Sequence, residues 1–193
     1  MHRLSSSFIL GYHGCDLRIG ERLLQGAAFR HSNNDYDSLG PGIYFWEANP
    51  QRGFEFAKEA SKRRPSSVST PFVIGAVIEL GLCLDLTTDS GLGWVKIAYE
   101  SLVRASRTAT LELPKNSDDH LRRNLDCAVI RGLHLVLETQ KLPPVDTIKG
   151  VFTEGQPVYP NAGFREKTHI QIAVRKPACI KGVFRVPANQ LLG

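Results

Sequence analysis

The chain has 193 residues, 42% hydrophobic and 22% charged, which supports one packed domain over 1–193 and excludes a disordered or low-complexity chain. A net charge of +5 and a pI of about 9.1 mildly favour a polyanionic partner. No apolar run is long enough to span a bilayer, and MHRLSSSFIL is too weakly apolar for a signal peptide, so a cytoplasmic protein without membrane attachment is expected.

SFILGYHG is a short apolar run closed by glycine and reads as a buried strand. In CDLRIGERLLQG, Asp16 is placed to cap a helix whose apolar face holds Ile19, Leu23 and Leu24 and which Gly26 ends. AFRHSNNDYDSLGPG is a loop, and IYFW is a strand fragment. Asn49 followed by Pro50 marks a helix start, with Phe54, Phe56 and Ala57 facing inward. FVIGAVIELGLCLDL reads as one or two buried strands turning at Gly81.

Two helices follow. GLGWVKIAYESLVRASRTA carries apolar residues at helical spacing. In DDHLRRNLDCAVIRGLHLVLE the expected cap is Asp118 or Asp119, and Leu121, Leu125, Ala128, Val129 and Leu133 form the stripe. TIKGVFTEG, THIQIAVR and IKGVFRV are the last strands, and in the second His169 and Gln171 lie on the face opposite Ile170, Ile172 and Val174. The whole is α+β without regular βαβ alternation, and it has neither a GxGxxG nor a P-loop phosphate cradle.

Cys15, Cys83, Cys127 and Cys179 are widely spaced, which argues against a disulfide framework or zinc site; no metal is expected. Cys15 as a nucleophile needs a base and an oxyanion site that the sequence does not place. The segment 165–185 sets Arg165, Lys167, Arg175, Lys176, Lys181 and Arg185 against Glu166 alone; a solvated sheet edge explains it at least as well as a nucleic-acid surface.

Three strand-to-loop junctions place polar or aromatic groups together: GYHG with His13, GPGIYF with Tyr44, and THIQI with His169 and Gln171. Singly, each has a structural explanation. In order, YHG, an amphipathic helix, NDYDSLGPGIYFW and NPQRGFEFA resemble the ADP-ribosyltransferases. The branch resembled is the histidine–tyrosine–glutamate one of diphtheria toxin and the poly(ADP-ribose) polymerases, and within it small bacterial toxins and phage-defence enzymes. The likeness is strongest over 8–60 and weaker over 150–186. It implies split antiparallel β-sheets with flanking helices around an NAD cleft.

The resemblance further implies that His13 contacts the adenosine-side ribose and Gly14 the nicotinamide amide, while Tyr44 stacks on the nicotinamide. Tyr12, Phe45 and Trp46 either wall the pocket or pack in the core. The loop with Ser32, Asn34, Asp35 and Asp37 is placed over the adenosine end, against the plainer reading of Asn/Asp turn chemistry. Gly42 joins the same cofactor-binding set. At the third position Gln171 stands where the family carries glutamate, which disfavours polymer elongation and fits mono-transfer. His169 is a candidate general base or acceptor contact, and Glu154 and Glu166 are alternative carboxylates.

The expectation is a metal-free, NAD-using mono-ADP-ribosyltransferase, an intracellular toxin or defence enzyme whose acceptor is nucleic acid, RNA before DNA. A protein acceptor, an NAD glycohydrolase and a non-catalytic nucleotide-binding module are the alternatives. A free enzyme of this kind calls for a neutralising antitoxin protein.

Overall fold

The computed structural model describes residues 2–3, 8–118 and 121–191. The strands are β1 (His2–Arg3), β2 (Phe8–Asp16), β3 (Ile43–Glu47), β4 (Pro71–Glu79), β5 (Leu82–Asp85), β6 (Thr147–Phe152), β7 (His169–Val174) and β8 (Ile180–Arg185). The helices are α1 (Leu17–Leu24), α2 (Pro50–Ser61), α3 (Asp89–Ala109) and α4 (Asn124–Thr139). Seven strands, extended at one edge by the two-residue β1, form one mixed sheet of order β1-β5-β6-β7-β3-β2-β4-β8. The domain is α+β, and no described helix is long and apolar enough to cross a membrane.

The expectation of split antiparallel β-sheets is corrected in two ways. The sheet is continuous, and β5 pairs with β6 in parallel. Its halves are nevertheless joined narrowly. β2 pairs with β4 along its full length, from Phe8↔Glu79 to Asp16↔Pro71, but with β3 only at Gly11↔Glu47 and Tyr12↔Trp46. Beyond that point β3 stays with β7, from Trp46↔Gln171 to Ile43↔Val174.

Three apolar clusters hold this frame. α3 and α4 bury Ala98, Ile130, Leu133 and Leu137 against Leu84, Ile148 and Ala173 of the β5-β6-β7 half. Phe45, Ile78, Ile172 and Val174 pack together on the opposite face. α2 lies over β2, β4 and the β8 edge, where Tyr12, Val73 and Val186 are buried beside Phe54 and Phe184. On the face that carries Tyr44 and Trp46 a cavity remains above β3, between α2 and the loop preceding α4.

Local chemistry explains most element boundaries. Asn49 caps α2 by accepting from Arg52 N, with Pro50 at the first position. Gly81 turns between β4 and β5 with φ +59°. The expected cap of α4 is corrected: Asp118 does not cap it, and Asp119 lies outside the described residues. The first turn is closed by Asn116 Oδ1, which accepts from Leu125 N at 2.9 Å and Asp126 N at 3.3 Å. Leu121 is 66% exposed, so it leaves the expected stripe, and Ile19 likewise faces solvent. β2 is not buried throughout, since Phe8 and Leu10 are exposed. β8 is an edge, and Lys181 and Arg185 on it pair with Glu79 and Glu21, in keeping with the solvated-edge reading of the basic segment.

Asp16 joins α1 to the segment leading into β4. Its carboxylate accepts from Arg18 N, Ser69 N, Ser69 Oγ and Thr70 N. The backbone amides of Thr70 and Ser69 hold its carboxyl far below the usual carboxylate range. Stability from this clamp is therefore complete above the unfolded-state pKa of about 4 and is lost as pH falls through and below it. Asp16→Asn should lower the thermal midpoint at neutral pH and flatten its decline from about pH 5 to about pH 2. Parallel midpoint–pH curves for the two proteins would refute the clamp.

Candidate functional site

A cavity of 590 Å³ opens where β2 and β3 part, between α2 and the loop preceding α4. Its floor is built by strand alternation. Tyr44 and Trp46 of β3 project to one side, and Gln171 of β7 sits opposite Trp46 in register and projects with them. Phe45, between them, is fully buried on the other face. His13 reaches the cavity from β2, its Nδ1–H donating to the Tyr44 carbonyl at 2.8 Å. Burial holds its imidazole pKa below the ordinary value, so the ring is neutral at pH 7 and Nε2 keeps its lone pair.

The Tyr44 phenol is anchored at its tip. It donates to Gly40 O at 2.8 Å and accepts from Leu39 N at 3.0 Å, and burial keeps the hydroxyl protonated. The ring remains partly exposed on the cavity wall. Gly40 serves this anchor with φ +70°, and a Cβ there would come within 2.7 Å of Ile130. The preceding loop closes on itself, with Ser32 and Gly42 exchanging backbone hydrogen bonds of 2.8 and 3.1 Å. Asp37 accepts from Ser32 Oγ at 2.7 Å and Asn34 N at 2.9 Å. Turn chemistry and cavity lining thus coexist, because Ser32, Asn34 and Asp37 all stand on the wall.

Of the residues expected from sequence, His13, Ser32, Asn34, Gly42, Tyr44 and Gln171 meet at this cavity. Gly14 does not line it. A Cβ at Gly14 would lie 2.0 Å from Gly53 O, so the glycine admits the backbone of α2 onto β2. Asp35 points away toward α4, where it pairs with Arg131 at 3.6 Å with its side chain 91% exposed. His169 is 5% exposed and lies behind the wall, its ring stacked on Phe152. Its Nδ1 is 2.6 Å from Lys167 O and its Nε2 is 3.0 Å from Gln171 Nε2. Glu154 pairs with buried Arg52 at 3.3 Å, and Glu166 accepts from Gln156 N; neither is on the cavity wall.

Tyr12 packs edge-on to Phe184 in the core, whereas Trp46 both lines the cavity and packs on Phe56 at 4.8 Å. Cys15 is buried with its thiol pushed up to about 12, chiefly by desolvation and then by Asp16, which removes the thiolate a nucleophile needs.

Three arginines escaped sequence reasoning as site residues. Arg30, Arg63 and Arg122 line the cavity at exposed positions, and none is in an ion pair among the described residues. Arg63 lies over Phe56 at 5.5 Å and Arg122 over Tyr36 at 5.6 Å, so two guanidinium–aromatic pairs flank the opening. Arg63 belongs to the basic run Lys62–Arg64 that follows α2. The wall thus combines flat aromatic rings, neutral hydrogen-bonding groups and a cationic rim. That set suits a planar ligand bearing phosphate, and the volume falls in the range of small-molecule sites. No group of three or more His, Cys, Asp or Glu among the described residues is arranged to hold a metal ion.

The Tyr44 anchor is separable from its ring. Tyr44→Phe should cost about 2 kcal/mol of unfolding free energy, because Leu39 N–H and Gly40 C=O lose a partner while the ring stays. Urea denaturation reads this directly, and a cost under about 0.5 kcal/mol would show that the loop holds without the hydroxyl. Comparison with protein-family models, with curated proteins and with solved structures finds no match for this chain, so the functional reading rests on the cavity itself.

Proposed function

We propose that this chain binds NAD in the cavity and transfers its ADP-ribosyl group to an acceptor, with RNA favoured. The observation that carries this reading is convergence. His13, Tyr44 and Gln171, far apart in the chain, come from three neighbouring strands to one cavity at the break in the sheet. The narrowly joined sheet with α2 and the loop preceding α4 on either side of the break supports reading the fold as ADP-ribosyltransferase-like.

In such a transfer the nicotinamide–ribose C–N bond breaks, nicotinamide leaves with the bonding pair, and the anomeric carbon bonds the acceptor nucleophile, which gives up a proton. The residues have separable tasks. Tyr44, fixed at its hydroxyl, offers its ring face to the nicotinamide. His13 Nε2 accepts from a ribose hydroxyl. Gln171 hydrogen-bonds the other ribose without adding negative charge. Arg30, Arg63 and Arg122 draw in pyrophosphate and a phosphate-bearing acceptor. A toxin or defence role held in check by an antitoxin protein is the setting this activity fits.

A second reading is favoured by Gln171 itself: with no carboxylate at the third position, the domain would bind NAD without transferring from it. NAD glycohydrolysis lies between the two, with water as acceptor. Incubation with NAD labelled in its adenylate, and separate pools of RNA, DNA and protein, separates these outcomes. Label in RNA is expected, and Tyr44→Ala should reduce it at least about 100-fold. Label in protein alone would sink the nucleic-acid acceptor. Free ADP-ribose alone would indicate a hydrolase, and NAD binding without turnover the module.

A further inference from the structure

We propose that His169 is a positioning residue that decides which end of the Gln171 side-chain amide faces the cavity, and that protonating His169 reverses the amide. The inference rests on the ADP-ribosyl reading only for its consequence, not for its geometry.

The orientation follows from donors and acceptors. His169 Nδ1 lies 2.6 Å from Lys167 O, and a carbonyl only accepts, so Nδ1 carries the proton. In the neutral ring Nε2 is then a lone pair. Gln171 Nε2, 3.0 Å away, must donate to it. The amide is thereby fixed with Oε1 turned from His169, on a side chain that lines the cavity. A ligand hydroxyl meets an acceptor there, as it would at a carboxylate. An imidazolium inverts the logic. Its Nε2–H needs an acceptor, so Oε1 turns inward and the NH₂ group faces the cavity as a donor.

The surroundings keep the ring neutral at pH 7. It is 5% exposed, stacked on Phe152 at 5.8 Å and near Trp46 at 6.5 Å. Glu154, at the end of the β6 side, favours its protonation; Arg52 from α2 and Arg123 from the approach to α4 oppose it. Lys167 contributes its carbonyl, while its ammonium is paired with Glu59 at 2.9 Å. Desolvation is the largest influence and lowers the pKa from its ordinary value. Oε1 should therefore face the cavity through neutral pH, and the NH₂ group only in acid.

Nitrogen-15 NMR of the ligand-free full chain tests this without reference to activity. The Nδ1–H tautomer is expected at neutral pH, with the Gln171 side-chain amide signals shifting in step with the His169 titration. An Nε2–H tautomer, or Gln171 signals indifferent to that titration, would overturn the proposal. Gln171→Glu sets a carboxylate against the Nε2 lone pair and should raise the His169 midpoint by about one pH unit or more; an unmoved midpoint also overturns it. By calorimetry, His169→Phe should weaken NAD binding about tenfold and abolish the acid limb of its pH profile. A variant that keeps native affinity and the acid limb counts against the proposal. If the NMR results are as expected and the native chain neither binds nor cleaves NAD, the ADP-ribosyl reading fails and the amide switch stands.

Discussion

The hydrogen bond from His13 Nδ1 to the Tyr44 carbonyl stands where a sheet ladder stops. Past Tyr12↔Trp46, β2 is held by β4 and by α2, whose backbone reaches it at Gly14 and Gly53. β3 is held by β7, with Gly42 packed closely on Ala173. The strands part while each keeps the neighbour on its other edge. Parting leaves backbone groups that an interior must satisfy. The imidazole takes one of them, so the break is a built feature of the sheet. The same ring closes the gap and forms part of the cavity wall.

The interior of the cavity is almost free of formal charge. His13 is held neutral and Tyr44 protonated, and Gln171 carries none. Charge lies in the exposed Arg30, Arg63 and Arg122 and in the half-buried Asp37. Were the proposed transfer to run here, its developing cation would meet neutral groups on the floor of the cavity. The site would then work by orientation: an anchored ring, fixed hydrogen-bond directions, and a rim that concentrates anions. In the proposed transfer such a balance would suit an acceptor that is already nucleophilic, and it makes the direction of each amide and imidazole matter more than its charge.

Features set by neighbours in the chain were legible in the sequence. The Asn49–Pro50 start of α2, the Asp16 cap and the Gly81 turn each depend on a few adjacent residues. Strand alternation by itself also puts Tyr44 and Trp46 on one face of β3. What escaped depends on distant contacts. α4 is capped from Asn116, well ahead of its first residue Asn124, where no helix-start pattern looks. Gly14 reads like a ligand-approach glycine, yet its immediate neighbour is the Gly53 carbonyl. Asp35 and Asp37 are indistinguishable in a turn-rich loop, and only the fold sends one to Arg131 and keeps the other at the cavity. The three arginines stand in separate loops and share no spacing.

Under the ADP-ribosyl reading Gln171 stands where a carboxylate would be expected, and Glu154 is not free to take that place. Glu154 is close enough to influence His169, but it is committed to Arg52, whose side chain is 9% exposed. Arg52 also pairs with Glu59 at 3.6 Å and lies over the Trp46 ring at 5.9 Å. A guanidinium buried to that degree depends on its carboxylates, because stripping one away leaves a charge without compensation. Freeing Glu154 for the cavity would therefore unsettle the packing beneath Trp46. Gln171 meets the remaining need in neutral form. It supplies an acceptor where a ligand hydroxyl can use one and a donor where His169 requires one, and it adds no further negative charge beside Glu154. A glutamine serves both neighbours at once, which a carboxylate facing the same imidazole lone pair does not.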